Sequence, residues 1–286
     1  MKNFSKIILI VLAGIALLIW SRVFYTGSSS GISVNFLDVG QGDAILINLP
    51  GDEQVLIDGG PDDAVLSQIS KFMPPFDRTI EHVVLTHPHA DHVAGLVKVI
   101  DRYEVGEVLE NSIEYDSAIY AQWKDIIKSN NIPDREVRQG DTFEWGGGRF
   151  EILAPVSMSS STSSGESNIN NTSVVARFVY NNSEVMLTGD AEKEVLSNLC
   201  KLESSSLSSD VLKAAHHGSE NGVADCFLSA VDADTVVISV GRDNKYGHPH
   251  ATALEMLGKY ADEILRTDEM GTISCQMDGE GVECGG

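Results

Sequence analysis

The feature that most constrains this chain is a short string, Thr86-His87-Pro88-His89-Ala90-Asp91-His92, directly after an apolar run that reads as a strand. On a loop, His87 and His89 can point one way while Asp91 and His92, opening the next helix, point into the same hollow. Nitrogen and carboxylate donors so close together suit a borderline divalent metal, and four of them point to two ions rather than one. Leu187-Thr188-Gly189-Asp190 and Ala215-His216-His217-Gly218-Ser219 each follow another strand-like run. Alone, the first reads as a turn and the second as a surface loop. Beside the first string they read as ligands carried on rigid elements beyond strand ends.

Around these strings the chain alternates. Strands are predicted at Ile32 to Val39, Ala44 to Leu49, Gln54 to Ile57 and His82 to Thr86, and helices at Pro61 to Phe72, Asp91 to Tyr103 and Asp116 to Asn130. The middle holds strands near Val105 to Glu110, Arg149 to Leu153, Val174 to Tyr180 and Val185 to Thr188. Strands at Asp210 to Ala214 and Thr235 to Val240 then alternate with helices near Asn221 to Ala230 and Thr252 to Tyr260. This order predicts an α/β (α+β) chain of two packed sheets with helices outside. Ser157 to Ser167 and Ser204 to Ser209 read as surface loops.

Before the first strand, Lys2 and Lys6 precede an unbroken apolar run, Ile7 to Trp20, which extends with one interruption to Tyr25. The run suits an export segment, either a signal anchor or a cleaved signal peptide over residues 1–26, with a buried helix as the plain alternative. Lysines ahead of the run leave the rest of the chain outside the cytoplasmic membrane, single-pass anchored or secreted. Residues 27–31 then read as a flexible tether, and residues 32–286 as the domain. In an exported chain Cys275 and Cys284 can pair. A turn at Gly279-Glu280 sets them opposite each other in a hairpin, with two free thiols as the alternative. Cys200 and Cys226 read as small buried residues.

The chain carries 20 basic and 42 acidic residues, a net charge of -22. Setting aside Lys2, Lys6 and Arg22, the only charged residues before Gly31, leaves 17 basic against 42 acidic, a net of -25. Such a chain is not a general nucleic-acid binder, because affinity for phosphate backbones comes mainly from many lysines and arginines.

THPHADH, LTGD, the earlier LIDGG (Leu56 to Gly60) and HHGS, in this order, resemble the metallo-β-lactamase superfamily. The resemblance implies a four-layer αββα sandwich and a one- or two-metal hydrolytic site. FLDVGQGDAILI (Phe36 to Ile47), AHHGS and SVGRDNKYGHPH (Ser239 to His250) are similar to the soluble metallohydrolase domain of ComEC-type DNA-uptake proteins and its stand-alone relatives. Carried over by position, His87 and His89 would bind a first ion, Asp91 and His92 a second, and Asp190 would bridge them. His216 would complete the second site, with His217 as the alternative. Asp58 resembles the buried aspartate that braces the metal loop.

One departure stands out. Most of the superfamily has a further histidine before the bridging aspartate, yet none occurs between His92 and His216. Asn170, Asn171 and Ser173 occupy that place, and an amide oxygen there would make an oxygen-richer first site, tilting zinc toward manganese. The same departure argues against β-lactam or lactone hydrolysis. An activated water would attack in line, with Asp91 in the catalytic set through its metal and His248 as the proton donor to the leaving oxygen. Lys213, Arg242, Asn244 and Lys245 could hold a phosphate. The donors imply a hydrolase, and the resemblance implies a phosphodiesterase on extracellular DNA or RNA, in company with DNA-uptake proteins. The alternatives are a hydrolase of a small ester or phosphoester, or a non-catalytic accessory module.

Overall fold

A computed structural model describes residues 4, 6, 8, 10–17, 31–74, 76–111, 113–156, 168–202 and 206–286. Residues 10–17 are helical, and among the described residues no helix is long and apolar enough to cross a membrane. The second half of the predicted export segment, residues 18–26, the tether up to Ser30, the stretch Ser157 to Ser167 and the residues Ser204 and Ser205 lie outside the described residues.

Period-two alternation builds the first sheet. In β1 (Ile32–Phe36), β2 (Ile45–Leu49) and β3 (Glu53–Ile57), the side chains of Ile32, Val34, Phe36, Ile45, Ile47, Val55 and Ile57 face a second sheet. Leu46 and Leu56 point to the opposite face and meet helices. Both faces are thus apolar, as a sheet covered on both sides requires. With β4 (Thr79–Leu85), β5 (Glu104–Glu110), β6 (Asp134–Glu136), β14 (Ile273–Met277) and β15 (Val282–Gly285), the order is β15-β14-β1-β2-β3-β4-β5-β6. The second sheet runs β13-β12-β11-β10-β9-β8-β7. Its members are β7 (Thr142–Trp145), β8 (Gly148–Ala154), β9 (Val175–Tyr180), β10 (Ser183–Leu187), β11 (Val211–Lys213), β12 (Thr235–Ile238) and β13 (Glu263–Arg266).

Helices α1 (Ala64–Phe72), α2 (Ala90–Ile100) and α3 (Ala118–Asn130) cover the first sheet with Val65, Ile69, Val93, Leu96, Val97 and Trp123. Helices α4 (Lys193–Leu199), α5 (Asp225–Val231) and α6 (Ala251–Leu257) cover the second with Leu196, Phe227, Leu228 and Leu257. A one-turn helix, α7 (Thr267–Met270), follows β13. The four layers are the αββα sandwich that the sequence implies, with one apolar core between the sheets and one under each helical layer.

The terminal hairpin pairs Cys275 with Cys284, Gln276 with Glu283 and Met277 with Val282, and a disulfide joins the cysteines across a Cα–Cα distance of 4.0 Å. Cys200 and Cys226 are not buried small residues. Cys200 caps α4, Cys226 lies exposed on α5, and a disulfide ties the two helices together over the second sheet. That pairing depends on two helices 26 residues apart packing side by side.

Candidate metal centre

Parallel strands deliver the strings to one hollow. Asp58 follows β3, the His87 to His92 string follows β4, Asp190 follows β10, His216 and His217 follow β11, and Ser239 follows β12. β3 pairs in parallel with β4, and β10, β11 and β12 pair in parallel, so the loops after each set leave the same end of their sheet. Close packing fixes the two sides of the first loop. Gly59 N–H donates to His92 O at 2.7 Å and Gly95 N–H to Gly60 O at 3.0 Å. A Cβ on Gly95 would stand 1.8 Å from Gly59 O, so only glycine allows α2 this near the loop that carries Asp58.

The donors converge on one carboxylate oxygen. Asp190 Oδ2 lies 3.3 Å from His92 Nε2, 3.5 Å from His217 Nε2, 3.8 Å from His87 Nε2 and 3.9 Å from His216 Nε2. Asp91 Oδ2 is 3.5 Å from His217 Nε2, and His87 Nε2 is 3.1 Å from His89 Nδ1. Ligands about 2 Å from a shared divalent ion stand roughly 3 to 4 Å from one another, which is the spacing here. Asp91, His92, Asp190 and His217 bring their donor atoms within 4.8 Å of each other.

The other ring nitrogens are occupied. His92 Nδ1 donates to Asp58 Oδ2 at 2.7 Å, and Asp58 also accepts from Thr86 N–H and Thr86 Oγ1. His87 Nδ1 lies 3.1 Å from Thr86 Oγ1, and His217 Nδ1 donates to Ser239 O at 3.0 Å. Tied at their far side, the imidazoles present Nε2 to the hollow, the arrangement that sets ring orientation and basicity in metal sites. His92 Nε2, His217 Nε2 and Asp190 Oδ1 are buried without a hydrogen-bond partner. Buried donor atoms that face one another without hydrogen bonds fit a cation between them, and the donor set suits a divalent one.

Buried opposite charges set the electrostatics of the cluster. Burial opposes charge on His92, yet Asp190 and Asp58 outweigh it and hold the imidazolium well above its ordinary range. Burial likewise opposes charge on His217, while Asp190 and Asp43 raise it to about 10. Burial pushes Asp190 up, but His217 and His92 hold it well below the usual carboxylate range. His87 is driven well below its usual value by burial and by the neighbouring His92.

Each predicted site residue has a definite place. His87, His89, Asp91, His92 and Asp190 meet in the hollow, and Asp58 braces two of them through Thr86 and His92. Ser173 Oγ accepts from Asp190 N–H at 3.2 Å, while Asn171 Oδ1 accepts from Glu192 N–H. Asn170 Nδ2 donates to Glu192 Oε1 at 3.1 Å.

His217, the alternative to His216 in the second group, is the histidine that stands beside Asp91 and His92. Both residues adopt left-handed backbone, with φ 48° and 53°, which swings His217 toward Asp91 and His216 toward Glu192.

Lys213 is a second correction. It is fully buried at the end of β11, where its Nζ contacts an Asp43 carboxylate oxygen and donates to Gly189 O, so it neutralises the cluster from behind and cannot meet a substrate. Asn244 is engaged by its own loop, donating to Gly241 O and His248 O and accepting from the N–H groups of Tyr246 and His248. Arg242 donates to Asp268 O, and Lys245 lies over the exposed Tyr246 ring.

His248 stacks on Tyr246 and lies 5.5 Å from the His216 ring. Burial and the nearby histidines His216, His217 and His250 lower it to about 4, so at neutral pH it is an uncharged imidazole and not a ready acid.

Two residues were not singled out from sequence. Asp43, buried between β1 and β2, lies 3.3 Å from His217 Nδ1. Burial raises its carboxyl but Lys213 and His217 outweigh this and hold it below the ordinary value. Its signal in the sequence is the string Phe36 to Ile47, in which it stands between Gly42 and the apolar run Ala44 to Ile47. Glu192, two residues after Asp190, had none.

The description of the metallo-β-lactamase superfamily matches residues 37–242. The chain is similar to ComE operon protein 3 of Bacillus subtilis strain 168, 27% identical over 291 residues, covering 93% of this chain and 36% of the relative. It is similar to competence protein ComA of Neisseria gonorrhoeae, 25% identical over 255 residues, covering 88% of this chain and 33% of that protein. The chain thus spans about a third of the length of these relatives. Among solved structures it is similar in fold to the metallo-β-lactamase fold protein YhfI from Bacillus subtilis, with a TM-score of 0.55 at 14% identity over 86% of this chain and 100% of that one. Strings, layers and convergent donors agree with the matched description, and the chain belongs to the metallo-β-lactamase superfamily.

Proposed function

We propose that this metal-dependent hydrolase cleaves phosphodiester bonds of DNA or RNA outside the cytoplasmic membrane, either tethered by its N-terminal segment or secreted. The observation that carries the reading is the set of donors around Asp190 Oδ2, each imidazole presented by a partner at its far nitrogen. Asp91, His92, Asp190 and His217 would hold one divalent ion, zinc or manganese, and His87, His89 and Asp190 would contribute to another. Bound ions supply positive charge for the attacked phosphoryl group and lower the pKa of water beside it. Asp58 and Thr86 hold the ligand loop, Lys213 and Asp43 hold His217, and His248 stands near His216 as a neutral imidazole. Arg242 and Lys245 are the cations near the rim that could meet a phosphate. The competence protein among the relatives supports a nucleic acid as substrate and DNA-uptake proteins as partners.

The test is turnover by the full chain, loaded with Mn²⁺ or Zn²⁺, of labelled single- and double-stranded DNA beside bis-p-nitrophenyl phosphate. Cleavage of all three that disappears in Asp190→Ala supports the reading. Turnover of the small diester alone would replace it with a small-phosphoester hydrolase, and no turnover of any would leave an accessory module.

A further inference from the structure

We propose that the Cys200–Cys226 disulfide is a thiol–disulfide exchange site that controls the metal centre: opening by a dithiol frees helix α4 from helix α5 and loosens the hold on the ion. The proposal rests on the metal-binding reading above and adds its regulation.

The bond lies at the far end of the two segments that carry Asp190 and His217. Asp190 leads through Glu192 and α4 to Cys200, and His217 leads through the turn at Glu220–Gly222 to Cys226 in the first turn of α5. At the near end the same segments meet without a covalent bond. His217 Nε2 lies 3.5 Å from Asp190 Oδ2, His216 N–H donates to Gly189 O at 3.2 Å, and His216 Nδ1 lies 3.4 Å from Glu192 Oε1. Each helix has seven residues, too few to hold itself by its own hydrogen bonds. Leu196 and Leu199 of α4 share one apolar cluster with Phe227 and Leu228 of α5, and the disulfide adds a fixed link to that contact.

Access separates the two disulfides. Cys226 is exposed and Cys200 half-buried on the outer helical layer, whereas Cys275 is fully buried between the sheets and its bond joins β14 to β15, strands that carry none of the donors. A dithiol therefore meets Cys226 first. One thiolate of the dithiol attacks Cys226 Sγ, and Cys200 leaves as a thiolate and takes up a proton. The second thiol of the dithiol then attacks the mixed disulfide and releases Cys226 as a thiol. Two electrons pass to the cysteines, the two protons of the dithiol end on them, and the dithiol ends as a cyclic disulfide. With the bond open, Asp190 and Glu192 can shift with α4 while His216 and His217 stay with β11 and α5, so the donor spacing around Asp190 Oδ2 loses its restraint. An oxidising compartment keeps the clamp closed and a reducing one opens it.

The test uses the full chain. Partial reduction with dithiothreitol, trapping with iodoacetamide and mass spectrometry of the modified cysteines should find Cys200 and Cys226 labelled before Cys275 and Cys284. Affinity for Mn²⁺ and Zn²⁺ is then read by chelator competition in wild type, Cys200→Ala/Cys226→Ala and Cys275→Ala/Cys284→Ala, with circular dichroism as the check on folding. The first variant should bind about 10- to 100-fold more weakly, the range for groups that orient ligands, and its amides over residues 193–199 should exchange hydrogen faster. The second should match wild type in both, whatever thermal stability it loses. Should the first variant not fold, wild type that has been reduced, alkylated and freed of reagent takes its place. Unchanged affinity in the first variant, equal weakening in both variants, or earlier labelling of Cys275 and Cys284 overturns the proposal. No metal bound by wild type would be a different result, sinking the metal-binding reading and the proposal with it.

Discussion

At the scale of single residues, charge burial dominates this protein. Lys213 is fully buried against Asp43 and within 3.9 Å of Asp190 Oδ1, and the three form one unit with His217. Removing one member of a buried charge group leaves the others uncompensated, at a cost of about 3 to 5 kcal/mol. Lys213→Met is therefore expected to lower urea-unfolding stability of the metal-free protein by that amount, and a loss under 1 kcal/mol would contradict the neutralising role. His217 gives a pH prediction. Its folded value is about 10 against an ordinary value near 6.5, so its stabilising contribution is complete below about pH 6.5 and fades as pH rises toward 10. A metal ion must displace that proton. Metal affinity should thus rise from pH 7 to 8.5, and calorimetry in buffers of different ionisation heat should show proton release on binding. Affinity independent of pH would contradict a protonated His217.

At the scale of elements, the site depends on how closely α2 meets the loop after β3. The helix begins immediately after His89, so Asp91 and His92 lie in its first turn and their direction follows the helix axis. Gly95, one turn further on, touches Gly59. Gly95→Ala would force the two apart, and overpacking of this kind costs about 1 to 3 kcal/mol. Thermal unfolding should fall accordingly, and metal affinity should fall with it because His92 and Asp58 move relative to each other. Lower stability with unchanged affinity would show that the helix can shift without carrying its ligands. The apolar periodicity announced most strands and the helices α1 to α3, α5 and α6. The short strands β6, β7 and β13 and the helix α4 escaped it because runs of three to seven residues, half exposed, carry too little pattern.

At the scale of the whole molecule, the net charge of -22 works against any long polyanion. With Lys213 buried, the cations predicted to meet substrate are reduced to Arg242 and Lys245 at the rim, so contact with DNA should be short and centred on the metals. Screening then relieves repulsion as it weakens attraction, and cleavage of DNA is expected to change little between 50 and 200 mM salt, concentrations over which many phosphate contacts would cost about 10³-fold or more. A loss of that size, measured as kcat/KM, would contradict the picture. The sequence by itself pointed to the candidate donor residues, the strands that carry them, two packed sheets with helices outside and the terminal hairpin, because these follow from local periodicity, turn chemistry and strings of donors a few residues apart. The approach of His217 rather than His216 to Asp91, the burial of Lys213, the places of Asp43 and Glu192, and the Cys200–Cys226 bond were decided only by tertiary structure. Each depends on which side chains from distant strands share one hollow or one helical layer, and on left-handed backbone at two consecutive histidines, a residue type that does not announce it.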